Sequence, residues 1–132
     1  MATPTALTLA ALRRSGYLAD VAERWLPHAN VRRDLFGIGD VVGIDRRQPG
    51  LLLVQCTTRA HVADRLAKAK GRPELAAWLK AGGRFEVWGW YRRAGRWEVR
   101  IVAVTGADLS DVALTGPARR RGRRPRQPEL FG

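Results

Sequence analysis

The sequence predicts a small α/β domain in which a mixed β-sheet is flanked by helices. Three observations point there. Two pairs of apolar, strand-like runs, 37–44 with 51–57 and 84–91 with 97–104, are each joined by a polar loop containing glycine. Between the pairs lie two segments opened by helix-start residues, Thr58 and Pro73. The chain is 132 residues long and 45% hydrophobic, enough for one domain with a modest core.

Thr3 or Thr5 can cap a first helix running to about Arg14, with Leu7, Leu9 and Leu12 as its apolar stripe and Gly16 as its stop. Over residues 17–25, Tyr17, Ala19, Val21 and Glu23 alternate as a strand would, although Leu18, Val21, Ala22 and Trp25 would suit a helix. Gly16 interrupts a continuing helix and favours the strand. Residues 27–30 form a loop. The runs 37–44 and 51–57 form a hairpin around residues 45–50, whose Pro49-Gly50 marks the turn. A symmetric hairpin sets Ile44 opposite Leu51 and Asp40 opposite Gln55. Thr58 then caps a helix from about Arg59 to Lys70, and Pro73 starts a shorter one ending at Lys80, before Ala81-Gly82-Gly83. A second hairpin, 84–91 with 97–104, turns through residues 92–96, with Phe85, Val87, Val99 and Ile101 expected on its inward face. The domain is expected to span residues 1–108. Residues 109–132 form a tail whose Arg/Pro/Gly-rich run from Pro117 to Pro128 has the composition of disorder.

Composition narrows the function. No run approaches the roughly 18 apolar residues of a membrane span, and the N-terminal residues lack the features of a signal peptide, so no membrane partner is expected. A single cysteine, Cys56, excludes an internal disulfide and fits a reducing, cytoplasmic setting. One Cys with the distant His28 and His61 does not make a zinc site. Net charge is +12, of which the segment 117–132 carries +5, so the body is basic as well as the tail. A phosphate polymer is the natural partner for such a field.

The chemistry-bearing residues gather on the first hairpin. Gln55 and Thr57 are spaced i, i+2 and share one strand face. Opposite them, Asp40 sits inside an apolar run, its backbone about 5.5 Å from that of Gln55. An acid, an amide and a hydroxyl on neighbouring strands can build a divalent-metal site. Magnesium prefers oxygen ligands and keeps several waters. Asp40 would supply the carboxylate; the Gln55 side-chain oxygen and the Cys56 backbone carbonyl are neutral ligands, Thr57 would orient water or phosphate, and Glu23 is a second carboxylate if it faces the same cleft. A duller account holds alongside: Asp40 in a salt bridge to Arg32, Arg33 or Arg59, Gln55 and Thr57 merely ending a strand, Glu23 at the surface.

This layout resembles the PD-(D/E)XK nuclease superfamily, especially its small resolvase-like members, over about residues 5–104. The family's aspartate falls on Asp40, preceded by Gly39 where proline is common. Its Asp/Glu falls on Gln55 and its lysine on Thr57, giving a variant D…QxT motif. The resemblance implies a restriction-endonuclease-like core in the order α-β-β-β-α-α-β-β. It also implies Mg²⁺- or Mn²⁺-dependent hydrolysis of DNA, with Asp40, Gln55, Thr57 and Glu23 in the active site, and a homodimer presenting one site to each strand. Arg59 follows Thr57 closely enough to stabilise phosphate charge, but arginine does not deprotonate and cannot act as a base.

Arg59, Arg92, Arg93 and Arg96, with Arg119, Arg120 and Arg121 of the tail, are expected phosphate contacts without base specificity. Trp88 and Trp90 share one strand face; they either offer bases a stacking surface or pack under a helix. The chain ends Gln127-Pro128-Glu129-Leu130-Phe131-Gly132, and Gln127, Leu130 and Phe131 resemble the peptide by which bacterial proteins dock on the replication sliding clamp. The expectation is therefore a metal-dependent DNA endonuclease. The alternative is a catalytically inactive DNA-binding accessory domain recruited to the clamp.

Overall fold

A computed structural model describes residues 2–29 and 31–109. The chain opens with helix α1 (Pro4–Arg14), where the Thr3 hydroxyl accepts the Ala6 N–H at 3.1 Å and Gly16, at φ 94°, turns the chain out of the helix. Strand β1 (Leu18–Val21) follows, then a short ribbon of β2 (Arg24–Leu26) and β3 (Val31–Arg33). The strand expected over 17–25 is thus broken: Ala22 and Glu23 leave the ladder to hydrogen-bond the Asp40 carbonyl at 2.7 and 3.3 Å. The element order accordingly gains two strands over the expected one.

Strands β4 (Val41–Ile44) and β5 (Leu51–Thr58) pair antiparallel with Ile44 opposite Leu51 and Val41 opposite Val54, the register that the symmetric hairpin requires. β4 is shorter than the run 37–44, because Phe36 and Gly37 adopt φ of 55° and 74° and fold residues 35–39 into a tight reversal. A 3₁₀ turn (Arg59–His61) leads into α2 (Val62–Lys70), and α3 (Pro73–Lys80) follows. The Thr58 hydroxyl bonds the His61 ring at 2.9 Å and makes no bond to a helix N–H. Strands β6 (Arg84–Arg93) and β7 (Arg96–Val104) form the second hairpin, longer than expected, because Ala94 and Gly95 at φ 51° and 77° make a two-residue turn. Asp108 accepts the Thr105 N–H at 2.7 Å, capping a helical turn over 106–109.

The main sheet has the order β1-β4-β5-β6-β7. All neighbours are antiparallel except β5 and β6, whose parallel pairing needs the crossover that α2 and α3 supply. Side chains alternate, so the sheet has two cores. Leu52, Val54, Cys56, Trp88 and Trp90 pack under α1 with Leu12. Leu53, Phe85, Val87 and Val104 pack on the other face under α2 and α3, with Val62 and Leu75. The second hairpin therefore has two inward faces: Phe85 and Val87 belong to the α2/α3 core, whereas Val99 and Ile101 join the α1 core. Among the described residues, no helix is long and apolar enough to cross a membrane.

Candidate metal centre

Asp40 lies one residue before β4 and is 6% exposed. Its backbone N–H still bonds the Val54 carbonyl at 2.8 Å, but the backbone ladder stops there. Its carboxylate then takes the place of the next strand carbonyl and accepts the Cys56 N–H at 2.9 Å. Gly39 makes this approach possible: a Cβ there would sit 2.3 Å from Leu53 Cγ. Leu53 fills the space that any larger residue at position 39 would need.

Two further acids converge on Asp40. The reversal over 35–39 doubles the chain back, so that Asp34 and Asp40 flank it. Glu23 is brought in by the amides of Ala22 and Glu23 bonded to the Asp40 carbonyl. Glu23, Asp34 and Asp40 each offer an oxygen within 4.8 Å of the others, a group that could hold a metal ion. Gln55 bridges them: its Nε2 donates to Asp34 Oδ2 and to Asp40 Oδ2, both at 3.2 Å. Its Oε1 accepts from Arg65 Nη1 at 2.9 Å. Arg32 donates to Glu23 at 3.1 Å. Burial and the hydrogen bond shared with Asp34 push the Asp40 carboxyl up to about 8, against the Cys56 N–H, with the charges of Asp34 and Glu23 adding to the rise.

The residues expected to meet are thus largely together. Asp40 and Gln55 touch, Glu23 faces the same cleft, and Thr57 is buried on the strand face of Gln55. Asp40 forms none of the ion pairs to Arg32, Arg33 or Arg59 that the duller account requires. The Gln55 oxygen faces Arg65 and its N–H groups face the acids, so it would ligate only by turning its amide over, which sets its NH₂ against a guanidinium. The Cys56 thiol lies in the α1 core, where burial pushes it up to about 12; only the Cys56 backbone reaches the site. No family model, curated protein or solved structure matches this chain.

Arg59 does not enter the site, since its guanidinium lies over the Tyr91 ring at 4.0 Å. Arg92, Arg93 and Arg96 are exposed at the β6–β7 turn, Arg92 over Trp97 at 5.0 Å and Arg93 paired with Glu98 at 3.4 Å. Trp88 and Trp90 are not a stacking surface. Both are buried beneath α1, where Trp90 Nε1 donates to the Thr8 hydroxyl at 2.9 Å. The exposed indoles are Trp25 and Trp97. Arg119, Arg120, Arg121, Gln127, Leu130 and Phe131 lie outside the described residues.

Sequence reading missed Asp34, Arg65 and the tie of Arg32 to Glu23. Asp34 carried a signal: Gly37 and Gly39 bracket a turn, and a turn between two acids brings them together. Arg65 carried none, because its meeting with Gln55 depends on how α2 lies against β5.

Proposed function

We propose that this domain is a metal-dependent DNA endonuclease of the PD-(D/E)XK type. The observation that carries the reading is the convergence of Glu23, Asp34 and Asp40 at the end of β4, beside Gln55 on β5. Three carboxylates in a half-buried cluster repel one another, and a divalent cation removes that repulsion. The donor set fits Mg²⁺ or Mn²⁺: it is all oxygen, and the one thiol lies on the opposite face of the sheet. Asp40, Asp34 and Glu23 would hold the ion, with the Cys56 carbonyl, which projects to the same strand edge as the Cys56 N–H, as a neutral ligand. A cation there supplies activation of water and neutralisation of phosphate charge.

The chain's own groups have separate tasks. Gln55 orients Asp34 and Asp40 and is itself fixed by Arg65. Thr57 stands where the family has lysine and would orient water or a phosphate oxygen. The +12 charge holds the DNA backbone, with Arg59, Arg92, Arg93 and Arg96 on the surface past the end of β5. The run of three antiparallel strands, a helical crossover and a parallel fourth strand agrees with the core that the resemblance implies. A homodimer, one site to each strand, belongs to the same reading.

One observation favours the second reading, an inactive DNA-binding accessory domain recruited to the sliding clamp by Gln127, Leu130 and Phe131. Among the described residues no lysine takes the place of Thr57, and the nearby Arg65 is engaged with Gln55. One assay separates the two. With Mg²⁺ or Mn²⁺, labelled duplex, single-stranded or four-way-junction DNA is cut by the wild type. Asp40→Asn lowers the rate by at least about 100-fold, as loss of a metal-site group does, and binds DNA as before. Binding without cleavage under either metal leaves the accessory domain as the function.

A further inference from the structure

The β2–β3 ribbon rises between two of the three acids: Glu23 immediately precedes β2 and Asp34 immediately follows β3. Its register places Arg24 opposite Arg33, Trp25 opposite Arg32 and Leu26 opposite Val31. It joins no other strand, and all its strand residues but Leu26 are exposed. Trp25 is 48% exposed and Val31 48%. An isolated two-stranded ribbon is marginal in water, and one that buries so little adds nothing to a core. Its composition has one sign: residues 24–33 contain three arginines and no acid.

We propose that the β2–β3 ribbon is the arm by which the domain grips duplex DNA, entering the major groove and setting the backbone over the acid cluster. This assignment rests on the nuclease reading for what happens at the cluster, and on charge and shape for the grip itself. The major groove is about 12 Å wide and admits a two-stranded ribbon. Arg24 and Arg33, a cross-strand pair, would reach phosphates on the groove wall. Arg32 lies over the Trp25 ring at 5.9 Å and also bonds Glu23, so the arm is joined to the site by an ion pair as well as by the chain. Arg24 adjoins Glu23 and Arg33 adjoins Asp34 in the chain, so a phosphate held by that pair lies beside the acids.

The test uses the full-length protein, a 20-base-pair duplex and EDTA, so that binding is read without cleavage. Arg24→Ala/Arg33→Ala should weaken duplex binding at least about tenfold. It should also reduce the slope of log K against log salt by nearly 2, the loss of two phosphate contacts. Methyl green, a major-groove ligand, should compete with the wild type, and netropsin, a minor-groove ligand, should not. The thermal midpoint should not move, because the replaced side chains are exposed. Unchanged affinity and slope overturn the proposal. It is also overturned if Trp25→Ala weakens single-stranded binding and spares the duplex, since the ribbon would then be a stacking platform. The two readings fail separately. Ribbon-dependent binding without Asp40-dependent cleavage sinks the nuclease and leaves the arm; Asp40-dependent cleavage with ribbon-independent binding does the reverse.

Discussion

Strand β4 has a buried aspartate just outside each end, Asp40 before Val41 and Asp45 after Ile44, exposed by 6% and 5%. Asp45 is surrounded by donors. It accepts the Arg47 N–H at 3.0 Å, the Arg47 guanidinium at 2.7 Å and the Gln48 amide at 2.9 Å, and Arg47 continues to the Ser15 carbonyl at 3.0 Å. The Arg47 guanidinium and the Gln48 amide hold the Asp45 carboxyl well below the usual carboxylate range. Asp40 has acids for neighbours, and its carboxyl is pushed the other way, to about 8. One acid builds a turn and ties it to α1. The other sits among like charges, a condition more common at functional sites than elsewhere. The same residue type at the two ends of β4 thus builds a turn at one and joins a cluster that could hold a metal ion at the other.

The largest expected effect is an opposition of sign. In EDTA at pH 9, Asp40→Asn should raise the thermal midpoint by at least about 4 °C, the shift that about 1 kcal/mol produces in a domain near this size. The asparagine oxygen can still accept the Cys56 N–H while the charge is gone. Asp45→Asn should lower the midpoint, because Arg47 loses its partner. The pH profiles oppose too. Asp40 has a folded pKa above its unfolded value of about 3.8, so its contribution favours the fold below pH 4 and is lost as pH rises to 8. Asp45 has a folded pKa below its unfolded value, so its contribution is present above pH 4 and is lost on further acidification. Thermal melts from pH 3 to 9 check both, and shifts of the same sign for the two variants would break the comparison.

The next effect is metal linkage. Mg²⁺ or Mn²⁺ at 100 times its dissociation constant should stabilise the wild type by about 2.7 kcal/mol. Asp45→Asn should keep that increment and Asp40→Asn should lose most of it. At one fixed metal concentration the increment should also grow from pH 6 to pH 8, as the proton on Asp40 ceases to compete with the ion. Calorimetric melts with and without metal read all three, and an increment equal in both variants would place the ion elsewhere.

How far the sequence carried this contrast depends on the range of the contacts. The β4–β5 register was legible because Pro49-Gly50 fixed the turn and alternation did the rest, which put Asp40 beside Gln55. The role of Asp45 was local, within three residues of Arg47 and Gln48. The breaks at Ala22 and Phe36 were hidden. The first depends on hydrogen bonds to Asp40, eighteen residues away, and the second on a phenylalanine at positive φ, which side-chain periodicity does not register. Trp88 and Trp90 show the same limit: i, i+2 spacing gave their shared face, while the α1 core that buries that face comes from 80 residues earlier.

The smallest effect sharpens what Gln55 does. Gln55→Glu would add a fourth carboxylate to the cluster, with Arg65 already 2.9 Å from the side-chain oxygen. The new charge is partly met by that guanidinium, and a glutamate has no N–H to hold Asp34 and Asp40. Without metal the variant should therefore melt below the wild type. With metal the added charge favours the cation, and affinity for Mn²⁺ should rise about tenfold, or about 1.4 kcal/mol. Isothermal titration reads the second quantity and melts in EDTA the first. A lower midpoint with unchanged affinity would mean that Gln55 only ties Asp34 and Asp40 in place. A gain in affinity would mean that the amide stands in a ligand's place, where it lessens both the hold on an ion and the repulsion among the acids.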